Sequence, residues 1–338
     1  MAATRGDFSV WMAAQQSDSA SALAAGREGV ALFDRSHSDT VSLSGKDTLR
    51  FCNGMFSNNI RALRPGQSNQ NVMLDAKGRI LGQLEVWCVA EATLFATLEH
   101  VPSTTFMEHY DRFIIADDVE LEDLSEQWLQ LSLQGPGAGE LLQQLGWPRP
   151  ETGFIEVEGV KIAARRRSRA GGYDLLVPVE EAEAVAARLI AAGARVAGAD
   201  VQEILRVEAG IARWPVDMGE RALVHEMRMV PDYCSFEKGC YIGQEVINRI
   251  DVMGQVQKKL WGLELVGPDT DLPATGSEVF LGEDSVGTTT SAVAEPGHRR
   301  VLAVLRKSVW KPGLELRVGP EGRVAVVRDL PFPEEGAA

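Results

Sequence analysis

Cysteine is scarce here: four residues in 338, Cys52, Cys88, Cys234 and Cys240, with no C-x-x-C pair. That excludes a disulfide-stapled secreted fold and makes a reducing, cytoplasmic setting the simplest expectation. No apolar run approaches the roughly 18 residues that a membrane-spanning helix needs, so no membrane association is expected. The opening stretch, MAATRGDFSVWMAAQQ, puts an acid where the apolar part of a secretion leader would begin, so no leader is expected. The five histidines (His37, His100, His109, His225 and His298) form no ligand-spaced pair with each other or with cysteine, and no metal site is expected. There is no G-x-S-x-G nucleophile motif. Positive charge is also short: 34 Lys and Arg against 48 Asp and Glu give a net charge of −14. Direct binding to nucleic acid or an anionic membrane surface is therefore not expected. Arg165, Arg166, Arg167 and Arg169 do cluster, and read as a solvated strand face or edge.

What is present is a globular composition, 45% apolar and 24% charged, in a chain long enough for two or three domains. Residues 11–27 read as one helix. TVSLSG, QNVML, ILGQLEVWCV, ATLFATLEH, WLQLSLQG, FIEVEG, VKIAARR and YDLLVPV read as strands, with DAKGR as a hairpin turn. PSTTFMEHYDRFI, EEAEAVAARLIAAG and ADVQEILRVEAG read as helices, the last with Asp200 as its cap. Strands and helices interleave without a strict βαβ repeat, which predicts an α+β core with mixed sheets over residues 1–255. Beyond it, six short strands between Gly and Pro turns predict a small β-barrel over 256–338.

Three stretches invite a functional reading. QGPGAGELL resembles a phosphate-cradling loop, but Glu140 occupies the third glycine position and would repel a pyrophosphate; a tight turn into a helix is the better reading. In LRVEAG, Glu208 lies near a helix C-terminus, where the dipole disfavours an acid. It reads either as a surface acid paired with Arg206 or Arg213, or as a carboxylate accepting two N–H bonds from a flat heterocycle. In FEKGCYIGQE, Cys240 precedes a short helix beginning near Gly243 and follows Lys238 by two residues. Unpaired N–H groups, the helix dipole and an ammonium favour a reactive thiolate. A buried structural cysteine in a Gly turn explains the same residues equally well.

The run K-G-C-Y-x-G-Q-E, Lys238 to Glu245 with Ile242 at the open position, resembles the signature of the YgfZ family of folate-binding proteins. These are relatives of the glycine-cleavage T protein, an aminomethyltransferase. The likeness extends through GVALFDRSHSDTVSLSGKDTLRFCNGMFSNNI, LQGPGAGELL, LRVEAGIARWPVDM, GTTTSAV and LPF. It implies interleaved ferredoxin-like domains with a C-terminal barrel, and a tetrahydrofolate-linked role in assembly or repair of iron–sulfur clusters. Iron–sulfur client proteins, some of them tRNA-modifying enzymes, would then be its partners. By the same likeness Glu208, Arg249, Tyr241, Gln244 and Glu245 are the expected folate contacts, and Cys240 with Lys238 the reactive pair. One departure stands out. The T protein carries an acidic pair where this chain has Gly82 and Gln83, and an amide cannot act as a general base. A folate-dependent aminomethyl or one-carbon transferase is accordingly the alternative reading.

Overall fold

The computed structural model describes residues 4–254, 256–267 and 271–333. Its first strand is β1 (Ala31–Asp34). The chain then builds a separate sheet from β2 (Thr40–Ser44), β3 (Gln67–Leu74), β4 (Ile80–Ala90), β5 (Thr93–Glu99) and β6 (Glu120–Asp123), in the order β3-β4-β5-β2-β6. It returns to β1 with β7 (Trp128–Gln134), β8 (Phe154–Val157), β9 (Val160–Ala164), β10 (Gly172–Pro178) and β11 (Arg195–Ala197). These give a six-stranded sheet in the order β11-β1-β7-β10-β9-β8. One sheet is thus nested in the sequence of the other, which is the interleaving expected. A third unit follows: β12 (Lys258–Leu265), β13 (Glu278–Leu281), β14 (Asp284–Glu295), β15 (His298–Arg306), β16 (Glu315–Val318) and β17 (Arg323–Arg328) close into a barrel. The expected division between residues 255 and 256 falls at Gln255, which lies outside the described residues.

Strand alternation decides what each sheet face does. On β7, Leu129, Leu131 and Leu133 join a core with the helices Arg5–Ala14 and Ala182–Ala191, while Gln130, Ser132 and Gln134 point to the other side. On β4, Leu84, Val86 and Cys88 pack under the helices Thr48–Met55 and Ser103–Asp111, and Gln83, Glu85 and Trp87 face away. Those polar positions are buried too, because the two sheets turn these faces toward each other. Trp87, Phe154, Ala163 and Leu176 make the dry end of the interlayer. Its other end is polar.

The helix expected over residues 11–27 is two helices, Arg5–Ala14 and Ser19–Glu28. Asp18 starts the second by accepting from Ser21 N at 2.9 Å. Asp200 does not cap its helix: Gly198 holds the cap position, and Asp200 lies in the first turn. QGPGAGELL is a turn, with Gly135 at φ +126°, into the short helix Ala138–Gln144.

Core and barrel are joined by a buried carboxylate. The side chain of Asp217, with no exposure to solvent, takes Arg206 Nη1 at 2.6 Å, Arg213 N at 2.9 Å, Thr290 Oγ1 at 2.6 Å and Ser291 Oγ at 2.7 Å. The acceptors of one group thereby tie the helix Ala199–Glu208, the segment after it and strand β14. Removing one partner of such a pair leaves an uncompensated buried charge. We expect Asp217→Ala to cost about 3–5 kcal/mol, read as a shift of the urea unfolding midpoint.

Candidate functional site

The polar end of the interlayer opens into a cavity of about 510 Å³. It is walled by residues from both sheets and from the helix Ala199–Glu208. Six of them are arginines, Arg35, Arg165, Arg166, Arg167, Arg206 and Arg213, against the acids Glu99, Asp200 and Glu203. A chain of net charge −14 thus gathers six of its cations around this cavity. The arginine cluster read as a solvated strand face is not one. Arg165 is 7% exposed and Arg167 half-buried, because the segment after β9 runs into the space between the sheets. Arg166 and Arg169 do remain exposed.

Gln83 sits in the cavity wall as a clamp. Its Oε1 accepts from Trp214 N at 2.8 Å, and its Nε2 donates to Ala212 O and to Tyr233 Oη, each at 3.3 Å. Arg165 Nη2 donates to the same Tyr233 oxygen at 2.9 Å. Both N–H donors and one acceptor site of the amide go into holding residues 212–214 and 233. Gly82 beside it is packed: a Cβ there would lie 2.6 Å from Val101 Cγ2.

Glu99 is fixed by Arg35 Nη2 at 2.5 Å on one oxygen and Arg167 Nη1 at 2.8 Å on the other. Burial opposes its ionisation, but the Arg167 and Arg35 guanidinium groups outweigh it and hold the carboxyl well below its usual range. Arg167 also binds Asp174, with Nη2–Oδ2 at 2.7 Å. His37 and His100, remote in sequence, stack at 4.6 Å beside this acid. With Glu99 they bring three donor atoms within 4.8 Å of one another. The trio suits a cation poorly, since both Glu99 oxygens are taken and two guanidinium groups adjoin them. Burial, then Arg35, pushes His37 down to about 3, so the imidazole is neutral across the physiological range.

The residues singled out in the sequence lie elsewhere. Glu208 belongs to a second cavity, of about 670 Å³, between the core and the barrel. Its carboxylate is paired with Arg27 and with Arg300, the latter at 2.5 Å, and Glu295 completes the cluster. Neither Arg206 nor Arg213 is its partner; both instead engage Glu203, one turn earlier on the same helix, in the central cavity. No residue of the K-G-C-Y-x-G-Q-E run lines either cavity. Cys240 is exposed. Lys238 is buried and turned inward, its Nζ donating to Phe56 O at 2.5 Å and Asn58 O at 2.6 Å, 4.6 Å from the Tyr241 ring centre. Its charge faces the Cys234 and Cys52 thiols. Burial pushes the ammonium down to about 7. Gln244 accepts from Tyr241 N at 3.3 Å, while Glu245 and Arg249 are exposed on the helix Gln244–Met253. The run packs on the hairpin that leads into β4. Gly243, at φ +82°, touches it so closely that a Cβ would come 2.7 Å from Asp75 O.

Two nested sheets around an arginine-lined interlayer cavity, followed by a closed barrel, define the class: this is the fold of the glycine-cleavage T protein. The structure of the aminomethyltransferase T of the glycine cleavage system from Bartonella henselae superimposes with a TM-score of 0.81, at 20% identity, covering 93% of this chain and 89% of that one. Residues 2–231 match the GCVT N-terminal domain, and the chain belongs to that family. An aminomethyltransferase of Geobacillus kaustophilus is 27% identical over 91% of this chain and 87% of its own length. A putative chloroplastic transferase of Arabidopsis thaliana is likewise 27% identical, over 92% and 73%.

Two measurements check this site. Burial pushes Glu85, on the same face of β4 as Gln83, up to about 7. The folded state then holds this proton more tightly than the unfolded chain. The stabilising effect is complete below the unfolded value of about 4.5 and is lost as the pH rises through 7. Glu85→Gln should abolish a decline of about 3 kcal/mol between pH 5 and 8, seen by denaturant titration across pH. In alkylation followed by peptide mapping, exposed Cys240 should be labelled first. Cys52 and Cys88 are buried, and burial pushes the Cys234 thiol up to about 12.

Proposed function

We propose that this protein is a tetrahydrofolate-dependent transferase of the T-protein type, moving an aminomethyl or one-carbon group, with the central cavity as its folate site. The observation that carries the reading is the extent of the likeness. Core and barrel together align with proteins named aminomethyltransferase over nine-tenths of this chain. The cavity also fits such a cofactor. At about 510 Å³ it lies within the range of small-molecule sites. Tyr233 and the His37–His100 stack offer flat walls for a heterocycle, and the arginines suit a dicarboxylate tail. When bound, tetrahydrofolate supplies the nucleophilic amines that accept the one-carbon unit. The protein's part is to exclude water, orient the ring and keep neutral imidazoles at hand.

A second reading is favoured by Gln83. An amide spent on three hydrogen bonds stands where the T protein has an acid. With Cys240 exposed in the YgfZ-like run, this supports a folate-binding accessory factor for iron–sulfur proteins, in the cytoplasm, working through that thiol. Titration calorimetry with tetrahydrofolate tests what both readings share, and no binding would overturn both. An assay of methylene-tetrahydrofolate formation from an aminomethyl-carrier then separates them. Turnover by the wild type carries the transferase. Inactivity, relieved by the shape-conserving Gln83→Glu, carries the accessory reading. Cys240→Ser should then fail to restore cluster-enzyme activity in cells lacking the protein. The expected gain is about 10²–10⁴-fold, the usual contribution of a positioned acid or base.

A further inference from the structure

Glu85 is a buried acid outside the hydrogen bonds that fix Gln83 and Glu99. It lies two residues along β4 from Gln83, hence on the same face, and is 5% exposed. Ser68 on β3 donates to its Oε1 at 3.2 Å; Oε2 has no partner. Thr97 on β5 is its cross-strand neighbour. The charged groups that face it are Arg165 and Arg167 from the segment after β9, and Asp174 from β10. Arg165 is itself incomplete. One nitrogen meets Tyr233, while Nε and Nη1 have no partner. An acid and a guanidinium with unused valences thus lie close enough to feel each other's charge without forming an ion pair, and the guanidinium is part of the cavity wall.

We propose that the central cavity binds an anion together with a proton, and that Glu85 takes up the proton. The inference rests on this cavity being the ligand site. Arg35, Arg167, Arg206 and Arg213 are spent on carboxylates, but among the described residues Arg165 and Arg166 of the wall form no ion pair, and they suit a ligand with negative charge, of which a carboxylate-bearing cofactor is one case. Arg165 is what favours the ionised form of Glu85 against burial. An anion brought to the cavity wall offsets that charge and adds its own repulsion, and both effects favour the acid form. The proton comes from the buffer; no bond to the ligand forms or breaks. Binding therefore strengthens as the pH falls toward 6, and Glu85 acts through Arg165 as a positioning residue.

The test uses the full chain, with tetrahydrofolate and inorganic sulfate as probes; neither changes its own charge near neutral pH. Calorimetry at pH 7 in buffers of different ionisation enthalpy counts protons. Wild type should take up roughly half a proton per ligand, because Glu85 is about half protonated beforehand. Glu85→Gln should bind either probe with no uptake, and Arg165→Met should bind at least tenfold more weakly. Independently, the carboxyl carbon resonance missing from Glu85→Gln should titrate near pH 7 in the wild type and move upward with sulfate. Failure of the wild type to bind either probe would overturn the anion site. Binding without uptake, or equal uptake by Glu85→Gln, would remove Glu85 from the linkage. Proton-linked sulfate binding with no affinity for tetrahydrofolate would support this proposal and sink the folate reading.

Discussion

The Asp217 carboxylate is the interaction on which the arrangement of core and barrel turns. A charge with no contact with water persists only where its acceptor sites are met. Here they are met by groups from three parts of the chain, which also share the apolar cluster of Val207, Ala212 and Val293. Arg206 is fixed from one side by Asp217, and so can offer its other side to Glu203 at the central cavity. The barrel therefore acts on the cavity at one remove. Ser291 and Thr290 set Asp217, Asp217 sets Arg206, and Arg206 sets the acid that faces the ligand space.

Much of the fold was legible because periodicity reports burial, and burial follows from local pattern. The alternation in WLQLSLQG and the short strands between glycines after residue 255 led directly to β7 and to the barrel. Alternation does not say what the polar face meets. Gln130, Ser132 and Gln134 look like a wet face and lie in a dry one, because a second sheet covers them. The same ambiguity hid the arginines. A run of like charges between two strands reads as solvent-exposed, unless the carboxylates that receive it are known: Glu99 lies across the interlayer and Asp174 on the neighbouring strand β10. Glu208 was marked by its unfavourable place at a helix end. Its partners could not be named, since Arg27 and Arg300 come from opposite ends of the chain. The signature run was the most legible motif and the least direct guide to the cavity, because it braces the β3–β4 hairpin from outside.

Gln83 holds its place in the cavity wall by hydrogen bonds that a carboxylate could not all make. An acid at this position would face the carbonyl of Ala212; the amide donates to it instead. The amide is a structural group, holding residues 212–214 and Tyr233 against the cavity wall. Fold and function separate at single residues of this kind.

The nesting of one sheet within the other fixes an order of assembly. Residues 40–123 contain every strand of the inner sheet, so that unit can close while the remainder is still being synthesised. β1 emerges earlier but pairs only with β7 and, in parallel, with β11, so one of its edges waits for residue 134 and the other stays open until residue 197 has left the ribosome. Pairings so distant in sequence are slow to form, and the waiting strand is a ready template for wrong partners. The barrel, contiguous from 258 to 328, carries no such delay. In this chain the vulnerable moment of biogenesis thus belongs to ALFD, four residues whose second neighbour arrives long after they do.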